Sequence, residues 1–197
     1  MKFLHYLCND SGWAGLIFED EKTSLNYSIS YCMGDSLTEL LRGLIVFVKY
    51  KAETGIIEQL ASRYSDEDDI FEWIIDQEGS SVKFIMSKIK NTENINLKII
   101  ENYDEPRCIY DGNINLNELI DNILFSCAEM IQKYGIIGYS LNFWTEFPMT
   151  YYLMLKDYRL RKINYDSFTE INCDGKQTLE RTNISTEIDY IIKMEQV

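Results

Sequence analysis

The sequence predicts an α+β domain, an antiparallel sheet with helices packed on one face. Two observations carry this. Short segments in which apolar and polar residues alternate follow one another across polar turns, as hairpins with one buried face do. Two further stretches, opening at Ser36 and Asn115, begin with a capping pattern and carry apolar residues at helical spacing. At 197 residues and 46% apolar content, the chain is long enough for one substantial core.

Taken in order, Phe3 to Leu7 reads as a short first strand. Gly12 to Glu19 and Ser24 to Cys32 read as two strands joined by the polar turn Asp20 to Thr23. In the second, Leu25, Tyr27, Ile29 and Tyr31 alternate with small polar residues, so one side faces a core. Gly34-Asp35 then leads into a helix with Ser36 as N-cap and Glu39 three residues on. Its buried stripe is Leu37, Leu40, Leu41, Leu44, Ile45 and Val48, and its end is expected between Lys51 and Gly55. Ile56 to Ser65 extends or follows that helix.

Ile70 to Ile75 reads as a strand closed by Asp76 to Gly79. Val82 to Lys90 and Ile95 to Asn102 form a hairpin about Asn91 to Asn94, and Arg107 to Tyr110 is a further strand. A second helix begins with Asn115 as its cap and Glu118 three residues later, and Gly135 is its expected stop. Leu116, Leu119, Ile120, Ile123, Leu124, Cys127 and Ile131 supply its apolar face. Ile136 to Phe143 has no decisive pattern. Met149 to Leu160 reads as the last helix, with Pro148 in its first turn. Beyond Lys162 the chain is more polar, and Thr186 to Met194 fits a short strand or a helix. Residues 1–160 are thus read as one domain, with 161–197 a polar extension packed on it.

Sliding the chain by 79 places sets Leu37 over Leu116, Glu39 over Glu118 and Leu40 over Leu119. This suggests a strands-then-helix duplication with halves 13–55 and 82–135. The plain alternative is that any two capped amphipathic helices look alike, because both draw on few residue types.

With 32 acidic against 19 basic residues, the net charge is −13. Nucleic acid is excluded as an expected partner, because phosphate binding needs clustered Lys and Arg. A basic protein is the natural complement, although the same charge would serve simply to keep the chain dissolved. The apolar run at the N-terminus is too short for a signal-peptide core, and no run approaches a membrane span. A cytoplasmic protein with no membrane partner is expected. The five cysteines are widely spaced with no Cys-x-x-Cys, as reduced packing residues would be.

Chemistry-bearing motifs are few. His5 is the only histidine and lies in an apolar segment, and no Gly-x-Ser-x-Gly elbow occurs. The cysteines offer no zinc spacing. An EF-hand loop begun at Asp66 puts Phe71 where glycine is required and Gln77 where a bidentate carboxylate is required. Asp20-Glu-Lys22 matches half of a common nuclease pattern, but its place in a hairpin turn accounts for it. No metal, no cofactor and no enzyme activity are expected.

The remaining feature is a surface. Ser65 to Gly79 holds seven acids (Asp66, Glu67, Asp68, Asp69, Glu72, Asp76, Glu78) and no Lys or Arg, interleaved with Tyr64, Phe71 and Trp73. Acids that steer and aromatics such as Trp73 that anchor are what a binder of a basic surface uses. The alternative is a solvated loop entering a core strand, with Phe71 and Trp73 turned inward.

The small size, the acidity, the hairpin pattern and the absence of catalytic motifs together resemble the immunity proteins of bacterial polymorphic and contact-dependent toxin systems. That resemblance implies a stoichiometric inhibitor that covers the active site of a toxin domain, often a basic nuclease, with Asp66 to Glu78 standing in for phosphates. An enzyme acting through paired carboxylates is the rival. A regulatory module working as a homodimer, rather than a monomer, is a third reading.

Overall fold

The longest ladder is a five-stranded antiparallel meander in the order β4 (Tyr64–Ser65), β5 (Ile70–Gln77), β6 (Ser80–Lys88), β7 (Asn94–Asn102) and β8 (Pro106–Asn115). The computed structural model describes residues 4–8, 13–30, 35–50, 64–65, 69–77, 79–102, 104–163, 165–172 and 175–192. A three-stranded meander precedes it: β1 (Leu4–Cys8), β2 (Trp13–Glu19) and β3 (Ser24–Ser30). A two-stranded ladder of β9 (Tyr165–Asn172) and β10 (Gly175–Thr182) follows it. The helices are α1 (Ser36–Phe47), α2 (Leu116–Phe143), α3 (Met149–Leu160) and α4 (Ile184–Ile192). The fold is α+β with antiparallel pairing throughout the described strands.

Local chemistry sets the hairpins. In the β2–β3 turn, Asp20 Oδ1 accepts from the amides of Lys22 (2.8 Å) and Thr23 (2.7 Å), an Asx turn. Gly79, between the paired Gln77 and Ser80, takes φ 92°, where a Cβ would be strained. A bulge between Ile99 and Ile100 leaves Ile109 of β8 without a partner across the ladder.

Period-two alternation then decides the core. Phe71, Trp73 and Ile75 of β5 are buried, as are Val82, Phe84 and Met86 of β6 and Ile95, Leu97 and Ile99 of β7. Ala14, Leu16, Phe18, Tyr27 and Ile29 of the first meander join the same cluster. Edge-on ring contacts link the two meanders, Phe18 to Tyr110 at 4.7 Å and Tyr27 to Phe84 at 6.3 Å.

Helix α1 buries Leu37, Leu40, Leu41, Leu44 and Ile45, as its stripe predicts. Its N-cap is Asp35 rather than Ser36: the Asp35 carboxylate accepts from Thr38 N at 3.0 Å, and Ser36 is the first helical residue. Both residue types cap well, and a carboxylate adds a charge at the positive end of the helix. The helix ends at Phe47, earlier than expected, and Lys49 turns left-handed with φ 53°. Residues 51–63, where that end was expected, lie outside the described residues. Ser65, read with the segment after the helix, belongs instead to β4.

Helix α2 starts as predicted, with Asn115 Oδ1 accepting from Glu118 N at 3.0 Å. Gly135 (φ 68°, ψ 168°) ends the first helical run, as expected, and a second helical run follows it directly to Phe143, so α2 is two helices joined at a kink. Packing is the reason: Tyr139 and Phe143 are buried and begin a row of rings through Phe147 to Tyr152. Helix α3 has the predicted bounds, with Pro148 at its N-cap position. The C-terminal stretch is more ordered than its polarity suggests, since it forms the β9–β10 hairpin and α4.

A hairpin followed by a helix does occur twice, β2–β3 with α1 and β7–β8 with α2. The two N-caps, Asp35 and Asn115, stand 80 residues apart, one more than the sequence shift of 79. The helices span 12 and 28 residues.

Candidate functional site

The structure divides the predicted acidic surface. Trp73 is a core residue and cannot anchor a partner: it is 1% exposed, its Nε1 donates to Ser36 O at 3.0 Å, and its ring lies 5.0 Å from that of Phe84. Phe71 is buried with it, because strand alternation turns 71, 73 and 75 inward and 72, 74 and 76 outward. Two of the acids have cations beside them. Asp69 Oδ1 lies 3.2 Å from Lys88 Nζ and 3.5 Å from Lys49 Nζ, and Glu72 Oε2 accepts from Lys83 Nζ at 3.0 Å. Such cross-strand and loop pairs lower the local negative potential that a basic partner would meet. Asp76 is exposed. Asp66, Glu67, Asp68 and Glu78 lie outside the described residues.

A different surface stands out. The helical segment after Gly135 has two apolar sides. One buries Tyr139 and Phe143; the other leaves Ile137 78%, Leu141 75% and Trp144 67% exposed, with Ile136 also exposed. Trp144 ends the helix in the left-handed region (φ 58°), its amide donating to Ser140 O at 3.0 Å. Contiguous exposed apolar side chains on an anchored helix mark an interaction surface more than a chance exposure. The signal was present in the sequence as the i, i+4 pair Ile137 and Leu141. It was masked by Tyr139 and Phe143, which make the segment apolar all round.

The turn after Trp144 borders a cavity of about 610 Å³ lined by the starts of α1 and α3, including Asp35, Thr38, Thr145, Glu146 and Tyr151. Asp35 holds it together. Beyond capping α1, its Oδ2 accepts from the Thr38 hydroxyl at 2.5 Å and the Thr145 hydroxyl at 3.0 Å.

A buried polar cluster lies where α1, α3, β9 and α4 meet. Asp157 of α3 accepts from the hydroxyls of Tyr50 (2.5 Å) and Tyr190 (2.9 Å) and from the amides of Lys162 (3.0 Å) and Ile163 (2.8 Å). The Tyr50 hydroxyl also bonds that of Tyr165. Beside it, buried Lys156 donates to Tyr190 O at 2.7 Å and sits over the Tyr152 and Tyr190 rings. Burial and the Asp157 carboxylate drive the Tyr50 hydroxyl far above its ordinary range, and burial foremost pushes Tyr190 up to about 12. Tyr50 and Tyr190, held neutral in this way, are donors that fasten the end of α1 and α4 to α3 with the carboxylate as their shared acceptor, and β9 joins through the Tyr165 hydroxyl on that of Tyr50.

The carboxylate at the first hairpin is likewise engaged. Backbone amides, Lys22 first, with the Tyr110 hydroxyl hold Asp20 below the usual carboxylate range, so its role is the turn. Tyr110 is in turn pushed up to about 12, by burial first and then by Asp20. Of the cysteines, Cys108 is exposed and Cys127 buried. His5 pairs with Ile17 in the β1–β2 ladder. Among the described residues no group of three or more His, Cys, Asp or Glu is placed to hold a metal ion, and no helix is long and apolar enough to cross a membrane.

Compared with protein-family models, with curated proteins and with solved structures, the chain matches none.

Proposed function

We propose that this chain is a protein-binding module that captures a basic partner in the cytoplasm, acting as an immunity protein that neutralises a toxin domain by stoichiometric binding. The observation that carries it is the exposed Ile137–Leu141–Trp144 surface, held on a helix whose other side is locked into the core, in a chain of charge −13. Tryptophan and large aliphatic side chains on a rigid element supply anchoring energy at little entropic cost. The net charge steers a cationic partner towards it and discourages self-association. In this reading the chain performs no chemistry of its own. The acids Asp66, Glu67, Asp68, Asp69, Glu72, Asp76 and Glu78 add long-range attraction, and the apolar segment of α2 makes the contact.

The test is co-expression with a toxin domain from any toxin gene found to neighbour this chain's own. Protection of the cells and a 1:1 complex by solution mass are expected, and both are lost in Leu141→Asp/Trp144→Asp while the thermal melt is unchanged. A neighbouring toxin that neither binds nor is neutralised would sink the immunity reading. Undiminished capture by the double variant would remove this surface from it.

A further inference from the structure

The cavity beside Trp144 has a chemistry of its own. Among the described residues its lining carries two charged side chains, Asp35 and Glu146, both acidic, and no Lys or Arg. Three threonine hydroxyls (Thr38, Thr145 and Thr150) and the Tyr151 side chain complete its polar part, while Phe147, Pro148 and Met149 supply apolar wall. We infer that this cavity receives an arginine or lysine side chain of the basic partner, next to the apolar contact made by Leu141 and Trp144. The inference rests on the partner reading above and adds where that partner's charge is bound.

The electrostatics decide the sign. The starts of α1 and α3 both face the cavity, and a helix N-terminus is worth roughly half a positive charge. Two such ends offset about one of the two carboxylates, and the C-terminal end of α2, immediately before Thr145, returns roughly half a negative charge. The balance stays negative, so a cation is favoured over an anion. Asp35 is fixed by its three hydrogen bonds, from Thr38 N, Thr38 Oγ1 and Thr145 Oγ1, and needs no rearrangement to accept a cation. Glu146 is exposed and free to turn onto it. A volume of about 610 Å³ holds a guanidinium and its methylene stem with room for bridging water. The apolar wall suits that stem, since long cationic side chains lay their methylenes on apolar surface.

The probe is N-acetyl-arginine amide, with N-acetyl-lysine amide alongside. N-acetyl-glutamine amide and N-acetyl-glutamate amide are the neutral and anionic controls. Each is titrated into the full chain and followed by amide chemical shifts. Saturable shifts confined to Thr38, Thr145, Glu146 and Thr150 are expected for the two cations only. Glu146→Gln should weaken them at least fivefold. Asp35→Asn should do the same with the fold intact, because asparagine caps a helix as well as aspartate. Equal response to the neutral probe, a preference for the glutamate probe, or no saturable shift at the lining would each overturn the inference. Loss of the cation site leaves toxin capture free to be tested by itself. A cation site that persists in a chain capturing no toxin refutes the partner reading instead.

Discussion

The Tyr50 hydroxyl, just beyond the end of α1, donates to Asp157 Oδ2 on α3 at 2.5 Å across 107 positions of sequence. The same carboxylate takes the Tyr190 hydroxyl of α4 and two amides that follow α3. One side chain therefore joins the end of α1, the segment after α3 and α4. Replacing Asp157 by Ala strands several buried or half-buried donors at about 1–3 kcal/mol each, so a loss of roughly 3 kcal/mol or more in unfolding free energy is expected. Tyr50→Phe removes the bond to the carboxylate together with the contact to the Tyr165 hydroxyl and should cost about 1.5–3 kcal/mol. Denaturant melts of both variants check the ordering; equal, negligible losses would contradict it.

Gly43 of α1 lies against the Phe71 ring of β5 so closely that an added Cβ would stand 2.0 Å from a ring carbon. Gly43→Ala should destabilise by about 1–3 kcal/mol through overpacking, despite the better helix propensity of alanine. Adding Phe71→Leu should recover part of that loss. A double-mutant cycle with no coupling would show that the two elements do not meet there.

Alkaline pH should loosen the fold. The hydroxyls of Tyr110 and Tyr190 are pushed up to about 12, against an ordinary value of 10.0. Between these values the unfolded chain has lost protons that the folded chain retains, so stability falls as pH rises from about 10 to about 12 and is fully present below 10. Tyrosinate absorbance read against circular dichroism checks the sign, since ionisation of these residues should accompany unfolding. Tyr190→Phe, which cannot ionise, should make the decline shallower.

The outer side of α2 should be energetically silent in the free protein. Leu141→Ser and Trp144→Ser are expected to change stability by less than about 0.5 kcal/mol, as exposed sites do. Each should weaken partner binding by about 2 kcal/mol or more if it is an anchor. Calorimetric titration with a captured toxin domain measures one and a thermal melt the other. Partner binding unchanged in both variants would place the interface elsewhere.

Much of the architecture was legible because it is written in local signals. Asn115 caps α2, the polar turn after Glu19 carries its own Asx bonds through Asp20, and the alternation in Val82 to Lys90 and Ile95 to Asn102 assigns the buried faces. The same alternation placed Trp73 in the core, where its aromatic character had suggested an anchor. Asp35 and Ser36 show the limit of such reading. Both can cap a helix, and the partner that helps select Asp35 is Thr145, 110 residues away.

The sequence by itself determined which segments are strands and helices over most of the chain, the acidity, and the buried faces of Val82 to Lys90 and Ile95 to Asn102, because those follow from short-range periodicity and capping chemistry. Tertiary structure alone decided that a second helical run follows the Gly135 stop, that Ile137, Leu141 and Trp144 stay in solvent, and that Asp35 and Glu146 meet at one cavity. An apolar residue states its wish to be buried but not whether a partner element reaches it. That answer lies in long-range packing, here in the row of rings from Tyr139 to Tyr152 that takes one side of the helix and leaves the other open.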